Sequence, residues 1–199
     1  MRISQLHERF VAEITGLDTS VPPDPQTIDA FEAAMARYAV CVIRDASLTD
    51  ADHIRFSRAF GSLELPPPGG KRIAPEIYDV GNLMPDGEIR PPNPAGPPPI
   101  DFERFHTDSP FNTLPTKWSF LLAYEVPPEG ANTEFVDTRA VYEDLPAEMK
   151  DRIDGLMAEH DMFLALERKG TKFGDEQLRR AYPATAHALV RESANGRKA

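Results

Sequence analysis

His106 and Asp108 are the residues of this chain whose types and spacing best suit chemistry. In an extended backbone, residues i and i+2 point to the same side. An imidazole nitrogen and a carboxylate oxygen two apart can therefore close on one metal ion. Such a pair is two-thirds of the 2-His-1-carboxylate facial triad that holds non-haem Fe(II) in oxygenases. The pair alone is unspecific, because His-x-Asp arises by chance in a chain this rich in acidic residues. A zinc hydrolase would use the same donors, but it needs a third ligand and a general base. The sequence places neither. Phe105 and Phe111 flank the motif, and Phe105, facing opposite His106 in a strand, is expected to pack in the core.

The elements that must position this pair can be read from pattern. Thr27 to Tyr38 is predicted helical, with Ile28, Phe31 and Met35 near one face. Ala39 to Ile43 is a short apolar run of strand type. Thr49-Asp50-Ala51-Asp52 resembles a capping box, opening a second helix that runs to Phe60 and stops at Gly61. Eleven of the 20 prolines lie between residues 66 and 99. A short strand, Ile77 to Val80, interrupts them. The proline-rich stretch 66–104 leads straight into His106, so it is expected to be a lid or a site wall. Trp118 to Val126 is the longest strand candidate, with Trp118, Phe120 and Tyr124 on one face as expected core. Gly130-Ala131-Asn132 is its turn and Thr133 to Asp137 its partner. Helices are predicted at Thr138–Leu145, Pro146–Glu159 and Asp175–Tyr182, and a strand at His187–Glu192. Asn195-Gly196 is a strong hairpin signal. Only three residues follow it, which suggests a fragment of a longer polypeptide.

Bulk properties bound the function. A chain of 199 residues can bury one sizeable core, so a single domain over 1–199 is the default. A net charge of −10 argues against nucleic acid as partner and gives no reason to expect an anionic membrane surface. Cys41 is the only cysteine, so no intrachain disulfide can form and a reducing compartment is expected. The N-terminus from Met1 to Glu8 lacks an apolar leader, and no apolar run reaches spanning length. Cytoplasm is the simplest assignment.

Context sharpens the metal motif. The chain runs Phe105-His106-Thr107-Asp108-Ser109-Pro110-Phe111. An apolar strand follows, ending in Glu125-Val126-Pro127-Pro128-Glu129-Gly130. Next come Asn132-Thr133-Glu134-Phe135-Val136-Asp137 and Ala140-Val141-Tyr142-Glu143-Asp144-Leu145-Pro146. This order closely resembles the TauD/TfdA family of Fe(II)/2-oxoglutarate-dependent dioxygenases, which includes taurine and 2,4-dichlorophenoxyacetate dioxygenases. Phe56 to Glu64 looks like the family's helix-to-glycine element. His187 to Arg191 and Asn195 to Lys198 look like its strand and turn after an insert. The resemblance covers almost the whole chain and leans toward the phenoxyacetate branch between Gly130 and Pro146.

The resemblance implies an α+β fold with a double-stranded β-helix (jelly roll) core and flanking helices, incomplete in this chain. It implies His106 and Asp108 as metal ligands and Thr133 as a contact for 2-oxoglutarate. The implied co-reactants are Fe(II), 2-oxoglutarate and O2, with succinate and CO2 released as a small organic acid is hydroxylated. For an aryloxyacetate, hydroxylation beside the ether oxygen would give a hemiacetal that collapses to a phenol and glyoxylate. The family's distal His and the Arg for 2-oxoglutarate lie beyond residue 199. His187 matches a strand His that is not a ligand, and His160 is no better placed. His7 and His53 are expected to be solvated. Because the family's substrates are commonly carboxylates or sulfonates, a cationic anchor is expected. Lys71 and Arg72 are the first candidates, Arg90 and Arg104 the alternatives, with Arg72 the better fork for a carboxylate. Family members are often dimers or tetramers, so a homo-oligomer is the expectation. The competing expectation is a non-catalytic β-scaffold that has lost its third ligand.

Overall fold

The computed structural model describes residues 1–46, 48–65, 72–81, 83–84, 87–89, 105–130, 132–168, 176–193 and 195–199. They form two compact units. The first comprises Met1–Val80, Phe120–Leu145 and Glu192–Ala199; the second comprises Gly81–Ser119 and Pro146–Arg191.

The first unit is built on a β-α-β element with a hairpin strand added. Strand β1 (Arg2–Gln5) pairs antiparallel with β2 (Ala12–Thr15), Ile3 opposite Ile14. Helix α1 (Pro25–Tyr38) then returns the chain so that β3 (Cys41–Ile43) lies parallel to β2, Ala12 opposite Cys41. Parallel neighbours need such a crossover. The helix begins two residues before the expected Thr27. Asp24 accepts from the Thr27 amide at 2.7 Å, and Pro25 fills the first turn, where no amide is needed. Ala39 ends it at a positive φ of 63°, in a tight turn where the Val40 amide donates to the Tyr38 carbonyl at 2.7 Å. Helix α2 (Asp50–Arg58) carries the predicted capping box between Thr49 and Asp52. Its Phe56 meets Phe31, Phe60 and Phe120 in an aromatic cluster with centroids 4.8–6.3 Å apart. Ala12, Ile14, Phe31, Ala34 and Phe56 complete the buried centre. A small hairpin, β4 (Arg72–Ala74) and β5 (Ile77–Tyr78), follows.

Helix α3 (Thr138–Asp144) is tied to α1 by a buried polar knot. The Asp137 carboxylate caps the helix through the Arg139 amide and takes two bonds from the Arg139 guanidinium, at 2.8 and 2.9 Å. The same guanidinium donates to the Ala36 carbonyl at 2.5 Å, at the C-terminal end of α1. Asn195 donates to that carbonyl as well, at 2.7 Å. Asn195-Gly196 does form a turn, with Gly196 at φ 80°. The turn finds its return partner in the residues that remain, because Glu192 bridges Lys198.

The second unit holds helix α4 (Ala147–Ile153), strand β6 (Met157–His160), helices α5 (Met162–Arg168) and α6 (Glu176–Ala181), and strand β7 (Thr185–Ala188). Strands β6 and β7 pair antiparallel, and Phe163 is its most deeply buried side chain among the described residues. The expected helix Pro146–Glu159 is therefore half helix and half strand. Gly155, at φ 70°, stops the helix. The ladder with β7 then overrides the helical preference of Met157, Ala158 and Glu159.

Two expected strands are not strands in the structure. Trp118–Val126 and Thr133–Asp137 pair in no ladder among the described residues, although burial alternates residue by residue from Lys117 to Ala123. Alternation fixes which side faces the core, but a strand exists only with a hydrogen-bonded neighbour. The described sheets have three, two and two strands, and none is closed. The chain is a mixture of helices and strands, as expected. No helix among the described residues is long and apolar enough to cross a membrane.

Candidate functional site

His106 and Asp108 lie in the second unit outside any ladder among the described residues, with the chain bending at Asp108. Their side chains nevertheless converge, with His106 Nε2 3.5 Å from Asp108 Oδ1. Two adjacent ligands of one ion, each at ~2.1 Å, stand about 3 Å apart. The pair is thus close to the separation that a shared metal requires. More than half of each side chain is exposed. The donor chemistry, one neutral nitrogen and one anionic oxygen, fits a divalent first-row metal. Among the described residues, no cluster of three or more His, Cys, Asp or Glu side chains is suited to holding a metal.

The chain just after the pair is held firmly. Ser109 adopts the left-handed conformation, φ 50°, which costs an L-residue about 1–2 kcal/mol. A turn closes from the Asn112 amide to the Ser109 carbonyl at 3.1 Å, with Pro110 at its second position. Strand β7 then grips this turn. Thr185 Oγ1 donates to the Phe111 carbonyl at 2.8 Å, and His187 Nε2 donates to the Asn112 carbonyl at 3.0 Å. His187 therefore anchors the loop that follows His106 and Asp108. His160 packs beside it, rings 5.6 Å apart.

Asp108 has a partner that the sequence did not reveal. Ser119 Oγ donates to Asp108 Oδ2 at 2.5 Å. Nothing in the spacing of a serine eleven residues downstream signals this. Phe105, expected in the core, is 64% exposed. Its segment pairs in no ladder among the described residues, so no sheet face there covers the ring. Of the aromatic stripe, Phe120 joins the core cluster, whereas Tyr124 is exposed and donates from its hydroxyl to Asp50 at 2.6 Å. His53 is not solvated. It is half-buried, its Nδ1 finds no partner among the described residues, and burial pushes its pKa down. His7 is exposed and packs edge-on against Phe10.

Thr133 lies in the first unit, exposed and outside any described helix or strand. Lys71, Arg90 and Arg104 fall outside the described residues, as does the side chain of Arg72, whose backbone begins β4.

Comparison with known proteins gives one consistent set. A sequence profile described as "Taurine catabolism dioxygenase TauD, TfdA family" matches residues 2–199. The chain is 33% identical over 202 residues to an alpha-ketoglutarate-dependent 2,4-dichlorophenoxyacetate dioxygenase of Burkholderia sp. (strain RASC), covering 97% of this chain and 67% of that protein. It is 30% identical over 182 residues to the (S)-phenoxypropionate/alpha-ketoglutarate-dioxygenase of Sphingobium herbicidovorans, covering 87% of this chain and 58% of that one. Among solved structures, AAD-2 in complex with Mn(II) and N-oxalylglycine superposes with a TM-score of 0.80 at 32% identity. That match spans 100% of this chain and 70% of the other.

Proposed function

The chain belongs to the TauD, TfdA family, and from that membership we propose that it is an alpha-ketoglutarate-dependent dioxygenase hydroxylating a small organic acid of the aryloxyacetate kind. The observation that carries the reading is the approach of His106 Nε2 to Asp108 Oδ1 at 3.5 Å, at the one place where the family pattern expects two metal ligands. The names of the relatives favour an aryloxy acid over a sulfonate. The double-stranded β-helix core belongs to the same proposal.

Fe(II), bound with 2-oxoglutarate and O2, would supply the oxidising chemistry, with succinate and CO2 as co-products. The residues of this chain have four tasks. His106 offers the Nε2 lone pair. Asp108 offers one carboxylate oxygen and cancels one unit of the cation's charge. The Thr133 hydroxyl donates to a 2-oxoglutarate carboxylate. Arg72, or Lys71 beside it, fixes the substrate carboxylate so that the C–H beside the ether oxygen is presented in register. A guanidinium fork would do this with two parallel bonds.

The test is succinate formation from 2-oxoglutarate with Fe(II) and ascorbate, across aryloxyacetates and taurine. We expect coupled turnover with aryloxyacetates, lost in His106→Ala and in Asp108→Ala. Arg72→Ala should raise the substrate KM and leave the KM for 2-oxoglutarate unchanged. Full turnover in either ligand variant would refute the assignment.

A further inference from the structure

We propose that Ser119 is a positioning residue for Asp108, fixing which of its two carboxylate oxygens faces the metal. The inference rests on the metal-pair reading above. A carboxylate on an exposed loop can turn about its last bond and present either oxygen, or both. Here Oδ2 is taken by the Ser119 hydroxyl at 2.5 Å, the short end of the range for a hydroxyl bound to an anionic oxygen. Oδ1 is the oxygen left facing His106 Nε2. The two contacts divide the carboxylate, one oxygen for the protein and one for the ion. Single-oxygen ligation keeps the remaining coordination positions open for incoming groups, whereas two-oxygen ligation would occupy one of them. The backbone needs no such help, since β7 already holds the following turn through Thr185 and His187. Ser119 supplies the missing restraint, on the side chain itself. Partners of this kind around a ligating group typically change metal affinity 10–100-fold when removed.

The experiment measures Mn(II) binding to the full chain, and the visible spectrum of its Co(II) form, in wild type, Asp108→Ala, Ser119→Ala and Ser119→Thr. We expect Ser119→Ala to weaken Mn(II) binding about 10–100-fold and to shift the Co(II) bands. Ser119→Thr, which keeps the hydroxyl, should restore both. The metal-free Tm of Ser119→Ala should match wild type, because the residue is at the surface. Wild-type Mn(II) affinity in Ser119→Ala, with affinity lost in Asp108→Ala, would overturn this inference and leave the metal pair standing. Wild-type affinity in Asp108→Ala would overturn both. Failure of Ser119→Thr to rescue would assign the loss to packing and so refute the hydroxyl's role.

Discussion

Replacing Arg139 by alanine should destabilise the first unit far more than replacing any exposed arginine. Arg139 and Asp137 are each only 6% exposed. The guanidinium makes two bonds to Asp137 and a third to the Ala36 carbonyl. Removing one partner of a buried pair leaves the other charge without compensation, which costs about 3–5 kcal/mol. Two neighbours soften the loss. Arg197 stands 3.7 Å from Asp137 Oδ2, and Asn195 still donates to the Ala36 carbonyl. The lower end of the range is therefore expected, about 3 kcal/mol. For a chain of this size that corresponds to a fall in Tm of roughly 6–12 °C. Urea unfolding followed by circular dichroism measures it, with Arg9→Ala as the control, because the Arg9–Asp144 pair is largely exposed. The pH dependence gives a second readout. Burial works to raise the Asp137 carboxyl, but the Arg139 hydrogen bonds outweigh it and hold the carboxyl below its usual range. A depressed folded pKa stabilises above the unfolded value of about 4, and this is lost as pH falls through the folded value. Wild type should therefore lose part of its advantage over Arg139→Ala on acidification below about pH 4. If Arg139→Ala costs no more than Arg9→Ala, the buried-pair argument is wrong.

Two further outcomes follow from local geometry. Ala39 sits at φ 63°, so Ala39→Gly should stabilise the protein by about 1 kcal/mol, and a lower urea midpoint than wild type would show that the site carries no strain. Burial pushes the Cys41 thiol up to about 11, so its thiolate fraction at pH 8 should be about two orders of magnitude below that of a free cysteine. Alkylation timed at several pH values measures this, and labelling at the free-cysteine rate would refute it.

What the sequence revealed was whatever is written in short-range chemistry. Thr49 with Asp52 announced the start of α2 because a cap is a contact between near neighbours, whereas α1 begins at Pro25, two residues before the expected Thr27. The approach of His106 to Asp108 was legible for the same reason, the two residues lying two apart. Contacts made at long range were not. Strand β6 hid behind the helical preference of Met157 to Glu159, since only pairing with β7, almost thirty residues on, makes it a strand. The hairpin β1–β2 carried no turn signal strong enough to be singled out. Trp118 to Val126 erred the other way, its alternation genuine and its ladder absent among the described residues. Ser119, the half-buried state of His53 and the anchoring role of His187 all depend on which loop lies across from them.

The knot at the end of α1 also sets a schedule for synthesis. The Ala36 carbonyl receives Asn195, which lies 159 residues later in the chain. At about 5–20 residues per second, a ribosome needs roughly 8–32 s to bridge that interval. Until then, of its two side-chain donors the Ala36 carbonyl has Arg139 alone, itself about a hundred residues downstream. The first unit is thus completed only once residues 192–199 have been made, and nascent chains stalled before residue 192 should be markedly more open to proteases than chains that carry those residues.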